Sequence, residues 1–309
     1  MKNYYRIMLG RKSKYAKEAR DGNFIGADFA IDKDLSNSLP EEFRAFNKEF
    51  IPLFLEKHPD KKKIAAGLAC GMLWTIAKGV KQGDIVICPD GSGSYYVGEV
   101  SGGYEYKKGE ILPHRRTVIW FNRSITREDM SESLRNSTGS IGTVSNVSKY
   151  ANEIESLISG GSPRTIVSTD ETVEDPSIFA LEKHLEEFLV QNWNSTELGK
   201  QYNIYEEEGE LVGQQYPSDT GPIDILAISK DKKTILVIEL KKGRASDVVI
   251  GQVQRYMGYV KEELAEEGQT VKGTIIAFED DIKIQRALSV AQNIDFFTYK
   301  INFKLERKK

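Results

Sequence analysis

Apolar positions recur along the first half of the chain with two different periods. Phe43, Phe46, Phe50 and Leu53 or Phe54 fall at helical spacing behind Pro40, which predicts a helix over 40–57. Residues 64–79, IAAGLACGMLWTIAKG, are apolar almost throughout and predict a second, mostly buried helix closed by Gly79. Short runs at 4–9, Asp84–Cys88, Tyr95–Val100 and Arg115–Trp120 predict strands, the last three separated by the turn signals PDGSGS and SGGYEYKKGE. A further helix is expected from about Val147 to Ile158. Together these predict an α+β half: a small β-barrel-like sheet with helices packed outside.

From Asp175 the pattern changes. Asp175 as N-cap and Pro176 at the first helical position open a helix whose Ile178, Leu181, Leu185, Phe188 and Leu189 share one face. Strands follow at Ile223–Ser229 and Thr234–Lys241, joined by the polar turn KDKK. A long helix over about 246–267 and strands at Val271–Phe278 and Ile294–Tyr299 complete the half. This is an α/β pattern, a mixed sheet flanked by helices. The stretch SGGSPRTIVSTDETVEDP, residues 159–176, has neither period and carries linker composition. The predicted organisation is a domain over 1–158, a linker over 159–176 and a second domain over 177–309. The 309 residues suit two domains at roughly 150 residues each.

Composition narrows the classes. Hydrophobic residues at 39% and charged residues at 29% exclude a wholly disordered chain. Two cysteines, Cys70 and Cys88, cannot build a disulfide framework, and three unclustered histidines (His58, His114, His184) argue against structural zinc. No apolar run approaches the ~20 residues of a membrane span, and the opening residues lack a signal-peptide core. A cytoplasmic protein with no membrane partner is expected. The net charge of −3 gives no global nucleic-acid footprint, so contact with DNA would rest on local patches.

The chemistry concentrates in GPIDILAISKDKKTILVIELKKGR. Glu239 and Lys241 are two apart on a predicted strand and so project from one face. Hairpin pairing can bring Asp224 beside them. Two carboxylates and a lysine at the end of apolar strands are costly unless paired or bound to a cation. A hard divalent ion, Mg²⁺ with Mn²⁺ as a substitute, prefers such oxygen ligands. Phosphodiester hydrolysis fits this set: the metal polarises the phosphate, and Lys241 holds the attacking water. Glu182 is a candidate further ligand, with Glu186 one turn later as the runner-up. Gln252 and Tyr256, four apart on the following helix, share a face that can meet the catalytic strands, a DNA strand or the attacking water.

The spacing D-x14-E-x-K followed by Q-x3-Y resembles the PD-(D/E)XK nuclease superfamily. The run from about Ser177 to Leu305 resembles the C-terminal nuclease domain of NucS-type endonucleases, through LEKHLEEFL, GPIDILAI, LVIELKKGRASD and GQVQRYMGYVKEEL. The resemblance implies a restriction-endonuclease-like fold. It also implies a metal site at Asp224 and Glu239, a catalytic lysine at Lys241, and auxiliary roles for Glu182 and Gln252. The first half does not resemble the DNA-binding half of NucS, so mismatch specificity is not implied.

Residues 83–120 interleave Tyr95, Tyr96, Tyr104 and Tyr106 with Gly-rich turns and then place His114, Arg115 and Arg116 before a strand ending at Trp120. Aromatic faces near arginines suit stacking of an extruded base and contact with phosphate, and Trp74 is a candidate pocket wall. The GD-x-V, Y-x-V-G-E-V and H-R-R-x-V-x-W segments, with the later MSESLRNSTGSIGTV, resemble PUA-like modules, including EVE-type readers, fused to Mrr-like restriction nucleases. That resemblance implies recognition of a modified base. The expected function is a Mg²⁺-dependent DNA endonuclease of restriction type, acting as a homodimer on phage or foreign DNA. The alternatives are a repair nuclease for branched or mismatched DNA, a nuclease gated by a small nucleotide, and a non-catalytic binder.

Overall fold

The computed structural model describes residues 2–37, 39–139, 142–160 and 185–300. Positions 161–176 of the expected linker, and Ile178, Leu181 and Glu182 on the helix expected after it, lie outside the described residues. The chain divides into two compact units. One comprises Met1–Val167, Glu207–Val212 and Pro217–Asp219; the other comprises Ser168–Glu206, Gly213–Tyr216 and Thr220–Lys309.

In the first half the order is β1 (Tyr4–Ile7), α1 (Ala16–Asp21), β2 (Phe24–Ala27), α2 (Phe43–Lys57), α3 (Lys63–Trp74), β3 (Ile85–Pro89), β4 (Ser94–Tyr106), β5 (His114–Thr126), α4 (Glu132–Thr138), β6 (Val144–Asn146) and α5 (Ala151–Ile158). The strands form one sheet in the order β2-β5-β4-β3-β1-β6, with β1 and β3 parallel. The expected barrel is corrected here: among the described residues the order is open. Its end strands, β2 and β6, each pair with one neighbour only and not with each other. The expected turn SGGYEY is also strand, because β4 runs on to Tyr106. Register shifts between Tyr96 and Gly98 and between Val100 and Tyr104 take up the local irregularity without ending the pairing with β5.

Alternation along the strands gives this sheet two apolar faces. Tyr5, Ile7, Val86, Cys88, Val100 and Val118 pack on one, and Tyr4, Ile85, Ile87, Tyr95, Val97 and Ile125 on the other. Helices α2 and α3 join through Phe46, Phe50 and Phe54 against Ala66, Ala69, Cys70 and Leu73. Small residues on α3 let the large rings of α2 approach closely. The helix expected over 64–79 leaves α-geometry after Trp74 and ends in a π-turn, Thr75–Gly79.

The second half contains β7 (Tyr202–Ile204), β8 (Glu206–Glu207), β9 (Glu210–Leu211), β10 (Gln214–Tyr216), β11 (Ile223–Ser229), β12 (Thr234–Arg244), α6 (Val248–Tyr259), β13 (Thr270–Glu279), α7 (Ile282–Leu288) and β14 (Ile294–Thr298). The main sheet runs β10-β11-β12-β13-β14, and β7 also pairs with β11. The first strands pair as antiparallel hairpins, whereas β12, β13 and β14 are parallel. Parallel neighbours need crossovers, and α6 and α7 supply them. One face packs on Leu185, Trp193 and Leu198; the other packs on Val249, Ile250, Val253 and Ile284.

Candidate active site

The β11–β12 hairpin pairs Ile225 with Ile238 and Ile228 with Ile235. One step outward in the same register, Asp224 stands opposite Glu239. Leu236, Ile238 and Leu240 enter the core beside Leu185 and Trp193. By the two-residue alternation Glu239 and Lys241 take the opposite face, on the side of α6. The sequence therefore puts apolar side chains under the strand and its charges above it.

Asp224 is anchored from two directions. Its Oδ2 accepts a hydrogen bond from the Leu240 N–H at 2.8 Å, and its Oδ1 accepts one from Gln215 Nε2 at 3.1 Å. The first bond ties the carboxylate to the backbone between Glu239 and Lys241. Lys241 Nζ donates to Glu239 Oε1 at 2.7 Å and to Gln252 Oε1 at 3.2 Å. Gln252 in turn donates from Nε2 to the Tyr256 hydroxyl at 3.3 Å. Four of the expected residues, Glu239, Lys241, Gln252 and Tyr256, thus form one hydrogen-bonded chain, and Asp224 is tied to the same strand through the Leu240 N–H. Gly221 lies beside them at φ +121°, a backbone conformation open to glycine, where an added Cβ would stand 3.5 Å from the Tyr256 hydroxyl.

Glu239 is 3% exposed, and its Oε2 is buried with no hydrogen-bond partner. Burial, followed by the charge of Asp224, pushes its carboxyl up to about 7, against the opposing pull of Lys241. A buried carboxylate oxygen without a donor, beside a second carboxylate, is a donor set that suits a hard divalent cation. Asp224 and Glu239 are the residues that would hold it. Among the described residues no group of three His, Cys, Asp or Glu side chains forms a ready ligand cluster. Glu182 is outside the described residues. The described Glu186 is held by two consecutive glutamines: Gln214 Nε2 donates to its Oε1 and Gln215 Nε2 to its Oε2, both at 2.6 Å. The sequence reading missed Gln215 and the Leu240 N–H. The first sits in a segment with no period, and the second is a backbone group that side-chain patterns do not report.

The aromatic and basic residues of the first half are placed differently. His114 is fully buried; its Nε2 donates to the Ile31 carbonyl and its Nδ1 accepts from the Tyr104 hydroxyl, each at 2.8 Å. Burial holds this histidine below its usual range and pushes the Tyr104 phenol up to about 12. Arg116 donates to the Ile76 and Ala77 carbonyls at 2.6 Å each, closing the π-turn after α3. Arg115 is buried over the Phe24 ring and bonded to the Leu112 carbonyl at 3.0 Å and to Glu110 at 2.7 Å. Tyr95 is buried as well. Tyr95, Tyr104, His114, Arg115 and Arg116 spend their polar groups within the fold. Trp74 is half-buried against Phe43 and Phe46, with Lys78 over its ring. Tyr96 is half-buried, with the Arg20 guanidinium 4.4 Å from its ring centroid and Trp120 at 6.3 Å. The Trp120 indole N–H is buried and has no hydrogen-bond partner.

Comparison with known proteins gives two separate matches. Residues 5–148 match a domain of unknown function, DUF8426, so a PUA-like assignment gains no support from it. Residues 181–306 match the endonuclease NucS C-terminal domain. No curated protein matches the chain. Similar solved structures include a complex of EndoMS with double-stranded DNA, at 14% identity and TM-score 0.33, covering 68% of this chain and 62% of that one. A repair endonuclease from Pyrococcus abyssi follows at 14% identity and TM-score 0.30, with coverage of 69% and 66%. EndoMS without ligand shows 20% identity and TM-score 0.28, with coverage of 38% and 44%. The chain therefore spans less than two thirds of these relatives' length, and the overlap is too slight to define a shared architecture. The segment that carries Asp224, Glu239, Lys241 and Gln252 is similar to the NucS C-terminal endonuclease domain.

Proposed function

We propose that this chain is a divalent-metal-dependent DNA endonuclease and that its second half carries out phosphodiester hydrolysis. The observation that carries the reading is the convergence of Asp224, Glu239, Lys241 and Gln252, with one Glu239 oxygen buried and lacking a donor. A bound Mg²⁺ would supply Lewis acidity toward the phosphate. Lys241, about a third exposed on its side chain, can orient water and offset negative charge developing on the phosphate. Gln252 holds the Lys241 ammonium, and Tyr256 holds Gln252 in place.

The first half is proposed to recognise the substrate. Its half-buried Tyr96, with the Arg20 guanidinium over the ring, supports stacking against an extruded base. A modified cytosine is the base proposed, which makes the enzyme one of restriction type acting on foreign DNA. A repair nuclease for branched or mismatched DNA is the second reading, favoured by the likeness of residues 181–306 to the NucS domain. One such site cuts one strand, so double-strand cleavage calls for a homodimer. The deciding experiment compares duplexes of one sequence that are plain, cytosine-modified or mismatched, in Mg²⁺ or EDTA, with a Glu239→Ala control. Cleavage in Mg²⁺ that is lost in EDTA and in the variant is expected. Equal cutting by Glu239→Ala would remove the assignment to this site.

A further inference from the structure

The Gln215 amide joins two carboxylates carried by different elements. Its Nε2 donates to Glu186 Oε2 at 2.6 Å and to Asp224 Oδ1 at 3.1 Å. Glu186 comes from the helical residues 185–191, and Asp224 from the start of β11. Two anions that share one amide donor are held near each other although their charges repel. Gln214 takes the second oxygen of Glu186 at 2.6 Å, which fixes that carboxylate at both ends.

The backbone is shaped for this. Gln215 has φ +51°, a left-handed conformation that is strained for a residue with a Cβ. Such strain persists where the surroundings over-determine it, and it concentrates at functional sites. The surroundings here are close: a Cβ on Gly213 would stand 2.2 Å from the Leu226 carbonyl oxygen, so glycine is required where β10 approaches β11. Gly213 N–H donates to the Tyr205 carbonyl at 2.9 Å and its carbonyl accepts from Leu226 N–H at 2.7 Å. Pinned at Gly213 and paired at Tyr216 with Ile223, the chain between them sets Gln215 beside Asp224.

We infer that Gln215 is a positioning residue of the metal site: its amide orients Asp224, the carboxylate that would hold a divalent cation with Glu239, and ties it to Glu186 on the neighbouring helix. This rests on the nuclease reading above. The amide N–H groups occupy carboxylate oxygens in the metal-free protein and stay close as an outer partner when a cation binds. Outer partners of this kind typically change metal affinity by about 10–100-fold.

The test measures Mn²⁺ binding to the full chain without DNA, by titration calorimetry and by the loss of free-ion paramagnetic signal. Gln215→Gly accepts the left-handed backbone and removes the amide; Gln215→Met keeps the side-chain length and removes the donor. Both are expected to bind Mn²⁺ about 10–100-fold more weakly than the parent, and excess Mn²⁺ is expected to restore cleavage. Parent-like affinity in either folded variant overturns the positioning role while leaving the nuclease reading intact. A parent chain that binds no Mn²⁺ overturns the metal reading itself, and the role of Gln215 falls with it. A loss of cleavage that excess Mn²⁺ does not restore also overturns the proposal, since it places Gln215 in the chemistry rather than in cation capture.

Discussion

Glu239 concentrates the electrostatic cost of the site in one side chain. Its folded pKa, about 7, lies above the ordinary 4.5. The unfolded chain therefore releases this proton more readily, and ionisation favours unfolding. Stability linked to Glu239 is full below pH about 4.5 and is lost as pH rises through about 7. At about 1.4 kcal/mol per pH unit the effect is on the order of 3 kcal/mol at most. In metal-free protein, Glu239→Gln is expected to flatten this fall in thermal-unfolding profiles between pH 5 and 8, and Mg²⁺ is expected to reverse it in the parent. A parent profile that rises with pH across this window would contradict the assignment. Lys241→Ala removes the donor at Glu239 Oε1, so it should leave cleavage nearly abolished. On the proposed role of Lys241, acting on water and charge rather than as a ligand, excess Mg²⁺ is not expected to rescue the variant. Recovery at high Mg²⁺ in a cleavage assay would move Lys241 out of the chemistry.

At the level of elements, strand alternation builds the site in the second half and cap chemistry decides the fate of the basic run in the first. Arg116 was expected at a base pocket. Its guanidinium instead takes the Ile76 and Ala77 carbonyls where the α3 extension ends, groups that a helix C-terminus leaves unpaired. Arg116→Ala is therefore expected to cost roughly 3 kcal/mol in denaturant unfolding, from charged hydrogen bonds and stranded carbonyls. It should weaken binding to modified and plain duplexes alike. A selective loss on modified DNA without loss of stability would return Arg116 to the recognition surface. Tyr96, half-buried under Arg20, is the residue whose replacement by Ala should weaken modified DNA more than plain DNA.

For the whole molecule, the division of labour proposed for the two halves predicts that binding and cutting can be uncoupled. Glu239→Ala in the full chain should still shift duplex DNA in a gel while cutting none of it, because the change removes a proposed ligand and no apolar core. Selectivity for a modified base should be graded, about tenfold to a few hundredfold, since an added methyl-sized group in a pocket contributes only about 1–3 kcal/mol. An all-or-none preference in paired cleavage assays would point to gating of the nuclease instead. Among the described residues no helix is long and apolar enough to cross a membrane.

The sequence by itself determined the hairpin of β11 and β12 and the face on which Glu239 and Lys241 sit, because a period of two allows one arrangement of long apolar strands. It also placed Gln252 and Tyr256 on one helix face, by the four-residue repeat. Tertiary structure alone decided what those faces meet. The Leu240 N–H that anchors Asp224 is a backbone group, and the Gln215 amide that reaches Glu186 comes from a three-residue strand with no pattern to read. In the first half the aromatic and basic run was legible as a cluster, yet its direction was not. His114, Arg115 and Arg116 point into the fold because carbonyls at Ile31, Leu112, Ile76 and Ala77 need donors there. Those needs arise only once the helices and strands have packed, and unpaired backbone groups in the interior cost more than a lysine or arginine gains at the surface.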